Sequence, residues 1–342
     1  MKSNFLKIEK GAINKVSHTL EQNGIKGKIL YVSDPVVDKL FGDIVRPQIA
    51  EIGQVKEETC DNNTIAYSMG IAEKVISSDI SCIVGMGGGR VLDVCKYAAF
   101  MSKASYLSIP TTAANDGLCS PVAVLMRQDQ IPRSLSAAMP DMLLIDIDII
   151  ANGPIQNIKA GIGDTLSNYT ALADWELAVE RGKDVMNGYA YLMAENALAS
   201  LAYSKFTTIC PDFVELLLNS LVLSGIAMDF AGNSRPVSGS EHIFSRALDY
   251  FNEKKNLHGL QVALGTIAVL KIMEQPSKEP MEYLKRFGVD INPQHMGISE
   301  EMFVFCMQNA ATMRKSRYTC LQEADLNAER LKSIYKELIE EL

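Results

Sequence analysis

Through the first 150 residues, short apolar runs alternate with stretches whose apolar residues recur every three or four positions. GKILYVS (Gly27 to Ser33) reads as a buried strand, and Asp34-Pro35 opens a helical stretch through Leu40. A second helical pattern covers about 65–76, SCIVGMGGGR carries a strand into a glycine-rich turn, VLDVCKYAAFM is helical again and SYLSIP is the next strand. Strand and helix in alternation with short joints predict a mostly parallel sheet with crossover helices. PVAVLM, a polar interruption and MLLIDIDII predict a hairpin or small extension, then the last strand.

After Pro154 the helical period takes over. KAGIGDTLSNYTALADWELAVE, MNGYAYLMAENALASLAYSKF and PDFVELLLNSLVLSGIAMDF all carry apolar spacing of three and four. NAERLKSIYKELIEEL sets Leu331, Ile334, Tyr335, Leu338 and Ile339 on one packing face. The pattern therefore predicts two domains, an α/β domain over 1–150 and an all-α domain over 151–342. A functional cleft between two such domains is the expectation.

Composition narrows the partners. The 342 residues carry 33 Lys plus Arg against 41 Asp plus Glu, a net charge of −8, so a nucleic acid is excluded as main partner. One small phosphorylated substrate needs only a local cluster of donors and stays open. The N-terminal MKSNFLKIEKGAINKV lacks a signal-like apolar core, and no uncharged apolar stretch of about 18 residues follows. A cytoplasmic protein without membrane insertion is expected. The seven Cys include no CxxC and read as buried small side chains.

Candidate chemistry sits at strand ends and helix starts. Gly87, Gly88 and Gly89 follow the strand-like CIV run, where glycines let backbone N–H groups approach a phosphate at a helix N-terminus. A merely tight turn is the alternative. Asp34, directly after a strand, suits the ribose hydroxyls of NAD and would repel the 2′-phosphate of NADP; its alternative is a helix N-cap. The loop SIPTTAANDGLCSP offers Thr111, Thr112, Asn115 and Asp116. His242 and His258, 16 positions apart, lie in SGSEH and LHG contexts. They are either structural or, with Asp164, an Asp-His-His set of the kind that leaves an open metal position. N-capping is the alternative for Asp164.

Taken in order, GMGGGRVLDVCKY, SIPTTAANDGLCSP, AGIGDTLSNYTALADWELA, AGNSRPVSGSEHIFSRALD and LHGLQVALGT resemble the sn-glycerol-1-phosphate dehydrogenases. These stand within the wider group of iron-containing alcohol dehydrogenases, glycerol dehydrogenases and 3-dehydroquinate synthases. The resemblance implies a dehydroquinate synthase-like fold, in which 1–150 is a Rossmann-like NAD(P)-binding domain and 151–342 a helical metal- and substrate-binding domain, and a divalent metal on Asp164, His242 and His258, Zn²⁺ by preference, with Fe²⁺ or Ni²⁺ as options. It also implies NAD or NADP on Gly87, Gly88, Gly89 and Asp93, with Thr111, Thr112 and Ser120 on the cofactor side and Asp116 facing nicotinamide and substrate. Two departures stand out: Arg90 where relatives often have Lys, and Asn115 where the glycerol-phosphate members carry a His before the Asp.

The reaction implied is reversible reduction of dihydroxyacetone phosphate, a small phosphorylated triose, by a homo-oligomer. Arg235 is the candidate fork for the phosphate, with Ser238 and Asn168 as further polar candidates; a surface carboxylate is the alternative partner of Arg235. Open beside this are a glycerol or other small-polyol dehydrogenase, a 3-dehydroquinate synthase-like cyclase and a non-catalytic sugar-phosphate-binding protein.

Overall fold

The structure, a computed structural model, describes residues 5–129 and 131–341. The first four residues, part of the N-terminal stretch considered above, lie outside them. Two compact units form, one of Met1–Ala113 with Gly117–Ile155 and the other of Ala114–Asp116 with Gln156–Leu342.

Among its described residues the first unit holds eight strands: β1 (Phe5–Glu9), β2 (Gly27–Ser33), β3 (Gly53–Thr59), β4 (Ile80–Gly87), β5 (Ser105–Pro110), β6 (Val122–Met126), β7 (Pro132–Ser136) and β8 (Met142–Asp146). Six form a parallel sheet in the order β1-β8-β5-β4-β2-β3, and β6 pairs with β7 as the expected antiparallel hairpin. Alternation of side chains along β2 sends Ile29 and Tyr31 to one face and Leu30 and Val32 to the other. Each face packs a core of its own, which is why the central strands read as unbroken apolar runs.

The pattern missed the two edge strands. β3 reads GQVKEET with mostly exposed side chains, because an edge strand covered on one side needs little apolar content. The helix after Asp34 is also longer than expected, running Pro35–Ile52 with Pro47 inside it. Its buried positions, Gly42, Val45 and Ile49, keep helical spacing beyond Leu40.

The second unit is helical. KAGIGDTLSNYTALADWELAVE splits into Ile155–Leu166 and Asn168–Glu180, parted at Ser167, whose backbone N–H and hydroxyl both donate to the Asp164 carbonyl. Pro211–Ala231 is long and apolar enough to cross a membrane by length and composition. Phe213, Val214, Leu217, Leu218 and Leu221 are fully buried against the rest of the unit, so it is a core helix. Helix Ala328–Glu341 buries Leu331, Ile334, Tyr335 and Leu338, four of the five residues read as its packing face. All seven cysteines are free, and six are buried.

Candidate metal centre

Glycines set the spacing of the helical site. A Cβ on Gly163 would stand 2.3 Å from the Gly259 carbonyl oxygen, and one on Gly259 would stand 2.0 Å from that of Ala160. Without side chains there, helices Ile155–Leu166 and His258–Ile272 touch backbone to backbone. Each glycine adjoins a candidate ligand, so the contact brings Asp164 and His258 together.

Helix Ser240–Phe251 supplies His242. The Nε2 atoms of His242 and His258 each lie 3.8 Å from Asp164 Oδ1, and the ligand atoms of all three residues fall within 4.8 Å of one another. A tetrahedral ion with ligands at about 2.1 Å separates them by roughly 3.4 Å, so the two imidazole–carboxylate distances are close to what such an ion asks.

The remaining atoms of these side chains are already engaged. The Asp116 backbone N–H donates to Asp164 Oδ2 at 3.0 Å, which turns Oδ1 towards the imidazoles. His242 Nδ1 lies 2.8 Å from Glu241 Oε1, and His258 Nδ1 lies 3.3 Å from Ser245 Oγ. A carboxylate accepts only, so His242 carries its proton on Nδ1 and presents a lone pair at Nε2. The donor set is therefore chemically fit for a divalent cation.

Electrostatics point the same way. Burial, then the charge of Asp116, pushes the Asp164 carboxyl well above its ordinary range. Burial, then His242 and Arg246, depresses the His258 imidazole, although 39% of its side chain is exposed. A cation at their centre would favour the ionised carboxylate and the neutral imidazoles. Asp164 lies three residues before the break at Ser167, near the C-terminal end of its helix, so the N-cap alternative is excluded.

Glu241 escaped the sequence reading. It is fully buried, and its Oε1 also accepts from Gly239 N–H while Oε2 accepts from Thr170 Oγ1. Burial opposes its charge, but His242, Thr170 and Gly239 outweigh this and hold its pKa below the usual value. The one signal in the sequence was an acid directly before a ligand histidine. Glu241→Gln should keep the shape and lower metal affinity by about 10–100-fold, read by competition with a chromogenic chelator. Unchanged affinity would remove Glu241 from this role.

In the sheet unit, Gly88 is the N-cap of helix Gly89–Ser102, and its carbonyl accepts from Val91 and Leu92. A Cβ on Gly87 would meet Val91 at 2.8 Å, whereas one on Gly89 would meet nothing within 4 Å. The turn is both tight and open above its outer glycine. Thr111 N–H donates to the Gly87 carbonyl, and Thr112 lies over Gly88. Asp34 does cap the helix after it, but Oδ1 alone accepts both bonds, from Val36 and Val37.

Several other candidates are held by internal partners. Asp93 Oδ2 accepts from Val124 N–H and its Oδ1 meets Lys96 Nζ, which also donates to the Gly117 and Val122 carbonyls and reaches Ser120 Oγ. Asn168 is fully buried and donates to the Ala194 carbonyl and Ser224 Oγ. Ser238 is buried, with its carbonyl accepting from Arg317. Arg235 is buried with Nε on Asp184 Oδ2 at 2.7 Å and Nη1 on the Tyr318 carbonyl at 2.6 Å. The carboxylate alternative for Arg235 is thus the arrangement found, because burial demands a countercharge.

A parallel-sheet unit with a glycine turn and a helical unit with an Asp-His-His centre are the features of a metal-dependent alcohol dehydrogenase. The family model described as iron-containing alcohol dehydrogenase matches residues 7–154. The chain is 34% identical to glycerol-1-phosphate dehydrogenase [NAD(P)+] of Hyperthermus butylicus, over 95% of this chain and 94% of that protein. It is 33% identical to the protein of that name from Sulfurisphaera tokodaii, over 95% and 93%. The chain belongs to the glycerol-1-phosphate dehydrogenase family. Among solved structures, a probable glycerol dehydrogenase from Sinorhizobium meliloti has a TM-score of 0.79 at 16% identity, covering 99% of this chain and 96% of that one, which shows the shared fold.

Proposed function

We propose that the protein is an NAD(P)-dependent sn-glycerol-1-phosphate dehydrogenase that reversibly reduces dihydroxyacetone phosphate. The observation that carries this reading is the convergence of Asp164, His242 and His258 in a chain of this family. Bound NAD(P)H would supply the hydride for the carbonyl carbon, and the residues around the oxygen would have to deliver its proton.

Asp164, His242 and His258 would hold the metal, for which Zn²⁺ is our choice because hydride transfer asks for no redox at the ion. A bound divalent cation supplies Lewis acidity towards a carbonyl or hydroxyl oxygen. Asp164 contributes the charged ligand, and Glu241 holds His242 in the binding tautomer. Asp116, whose N–H already orients Asp164, is our candidate for orienting a substrate hydroxyl or passing the proton. Gly87, Gly88 and Gly89 would take the dinucleotide phosphates, Thr111 and Thr112 would line that side, and Asp34 Oδ2 would accept from the ribose. That last contact favours NAD over NADP.

A homo-oligomer fits the exposed apolar stripe of Val36, Leu40 and Ile44 on helix Pro35–Ile52. We place its work in the cytoplasm.

The test follows oxidation of NADH and NADPH at 340 nm by metal-loaded protein, with dihydroxyacetone phosphate beside dihydroxyacetone. The expected result is turnover of the phosphate ester at a kcat/KM at least about 100-fold higher, as a buried phosphate bound by charged donors implies. Equal use of both ketones would move the chain to the polyol dehydrogenases.

A further inference from the structure

Helix Ser240–Phe251, which carries His242, starts without a cap of its own, because its N-cap residue, Gly239, has no side chain to accept a backbone hydrogen bond. Helix Asn168–Glu180 supplies the acceptor instead. Asp174 is fully buried on it; its Oδ2 accepts from Ser240 N–H at 2.6 Å, and its Oδ1 accepts from Cys320 N–H at 2.6 Å. One carboxylate thus ties three segments together, with Cys320 lying 146 positions further along the chain. A Cβ on Gly239 would stand 2.6 Å from Asp174 Oδ2, so the glycine that cannot cap the helix makes room for the group that does.

Thr170 stands one turn before Asp174 on the same helix, and its Oγ1 donates to Glu241 Oε2 at 2.6 Å. Asp174 and Glu241 therefore hold successive N–H groups of one turn, those of Ser240 and Gly239. From the carbonyl side, buried Arg317 donates to Ser234 and Ser238 of the same stretch. Among the described residues, Asp174 has no cation within ion-pair distance, and burial, then the charge of Glu241, pushes its carboxyl up to about 6. When ionised it depends on the two backbone donors, so the carboxylate and the turn fix one another.

We propose that Asp174 is a positioning residue of the metal centre, holding the first turn of helix Ser240–Phe251 where His242 Nε2 can reach the ion. The assignment rests on the reading of Asp164, His242 and His258 as metal ligands. Asp174 acts through Ser240, two positions before His242. Asp164 and His258 stand on other helices, so loss of the carboxylate displaces one ligand of the three.

The test titrates wild type and Asp174→Asn with Zn²⁺ against a chromogenic chelator and records the visible d–d absorption of their Co²⁺-loaded forms. Asparagine keeps the shape but turns its NH₂ towards one of the two N–H donors. The Zn²⁺ dissociation constant should rise by about 10–100-fold, the range for losing an outer partner of a metal ligand, and the Co²⁺ bands should shift or weaken. Leu217→Ala, which opens the core of helix Pro211–Ala231, should lower the melting temperature yet leave affinity and bands as in wild type. Gly239→Ala, whose methyl would drive the carboxylate away from Ser240, should reproduce the loss and serves if Asp174→Asn does not fold. A wild type that binds Co²⁺ beside an Asp174→Asn that, like Leu217→Ala, changes only in melting would overturn this assignment alone. A wild type that binds neither Zn²⁺ nor Co²⁺ would overturn the metal centre and this role with it.

Discussion

Asp164→Asn should abolish metal retention and lower kcat/KM by at least about 1000-fold, since Lewis-acid stabilisation is worth several kcal/mol and each 1.4 kcal/mol is a factor of ten. The carboxylate is the only ligand of the three with a formal charge, and both imidazole Nε2 atoms aim at the same oxygen. His258→Ala should have an effect of the same order. In the native protein, a strong chelator should remove activity and Zn²⁺ should restore it; the Asn variant should not recover. Elemental analysis after desalting gives the second readout. A variant that keeps its metal and turns over within tenfold of wild type would remove Asp164 from the centre.

The second large effect lies in a residue that touches no ligand. Gly259→Ala would place a methyl carbon 2.0 Å from the Ala160 carbonyl oxygen, and backbone cannot yield as a flexible side chain can. The two helices must part, and His258 moves with its helix while Asp164 stays with the other. We expect a loss of stability of at least about 2–3 kcal/mol, in the range of severe overpacking, together with metal affinity lowered more than in Glu241→Gln. Thermal melting and metal titration on one preparation check both. Gly89→Ala provides the contrast, because its added methyl meets nothing within 4 Å; its melting temperature should stay within a few degrees of wild type. Gly259→Ala with normal melting and normal metal affinity would show that the backbone contact does not set the site.

These expectations separate two kinds of residue. Residue type left Asp164, His242 and His258 open between structural roles and an Asp-His-His set; the resemblance of their sequence contexts singled them out, and the fold brings their ligand atoms together. Glu241 could not be singled out, because a Glu in a helix is ordinarily solvated and only burial makes it a partner for His242. Arg235 shows the reverse. Its sequence context suited a phosphate, but the fold placed Asp184 against it, 51 positions away in the chain.

The class of fold was also legible for a local reason. Buried parallel strands must be apolar on both faces, and core helices must repeat their apolar side chains with the helical turn, so β2, β4, β5 and β8 and the helices beyond Pro154 announce themselves. The edge strands β1 and β3 lack that constraint, and their pairing became visible only beside β8 and β2. The chain's local chemistry thus established the alternation of elements, the glycine turn and the metal-donor types. Long-range packing settled which oxygen of Asp164 meets the imidazoles, which arginine is neutralised and how closely two helices approach, because each depends on atoms distant in sequence and on the exclusion of water around them.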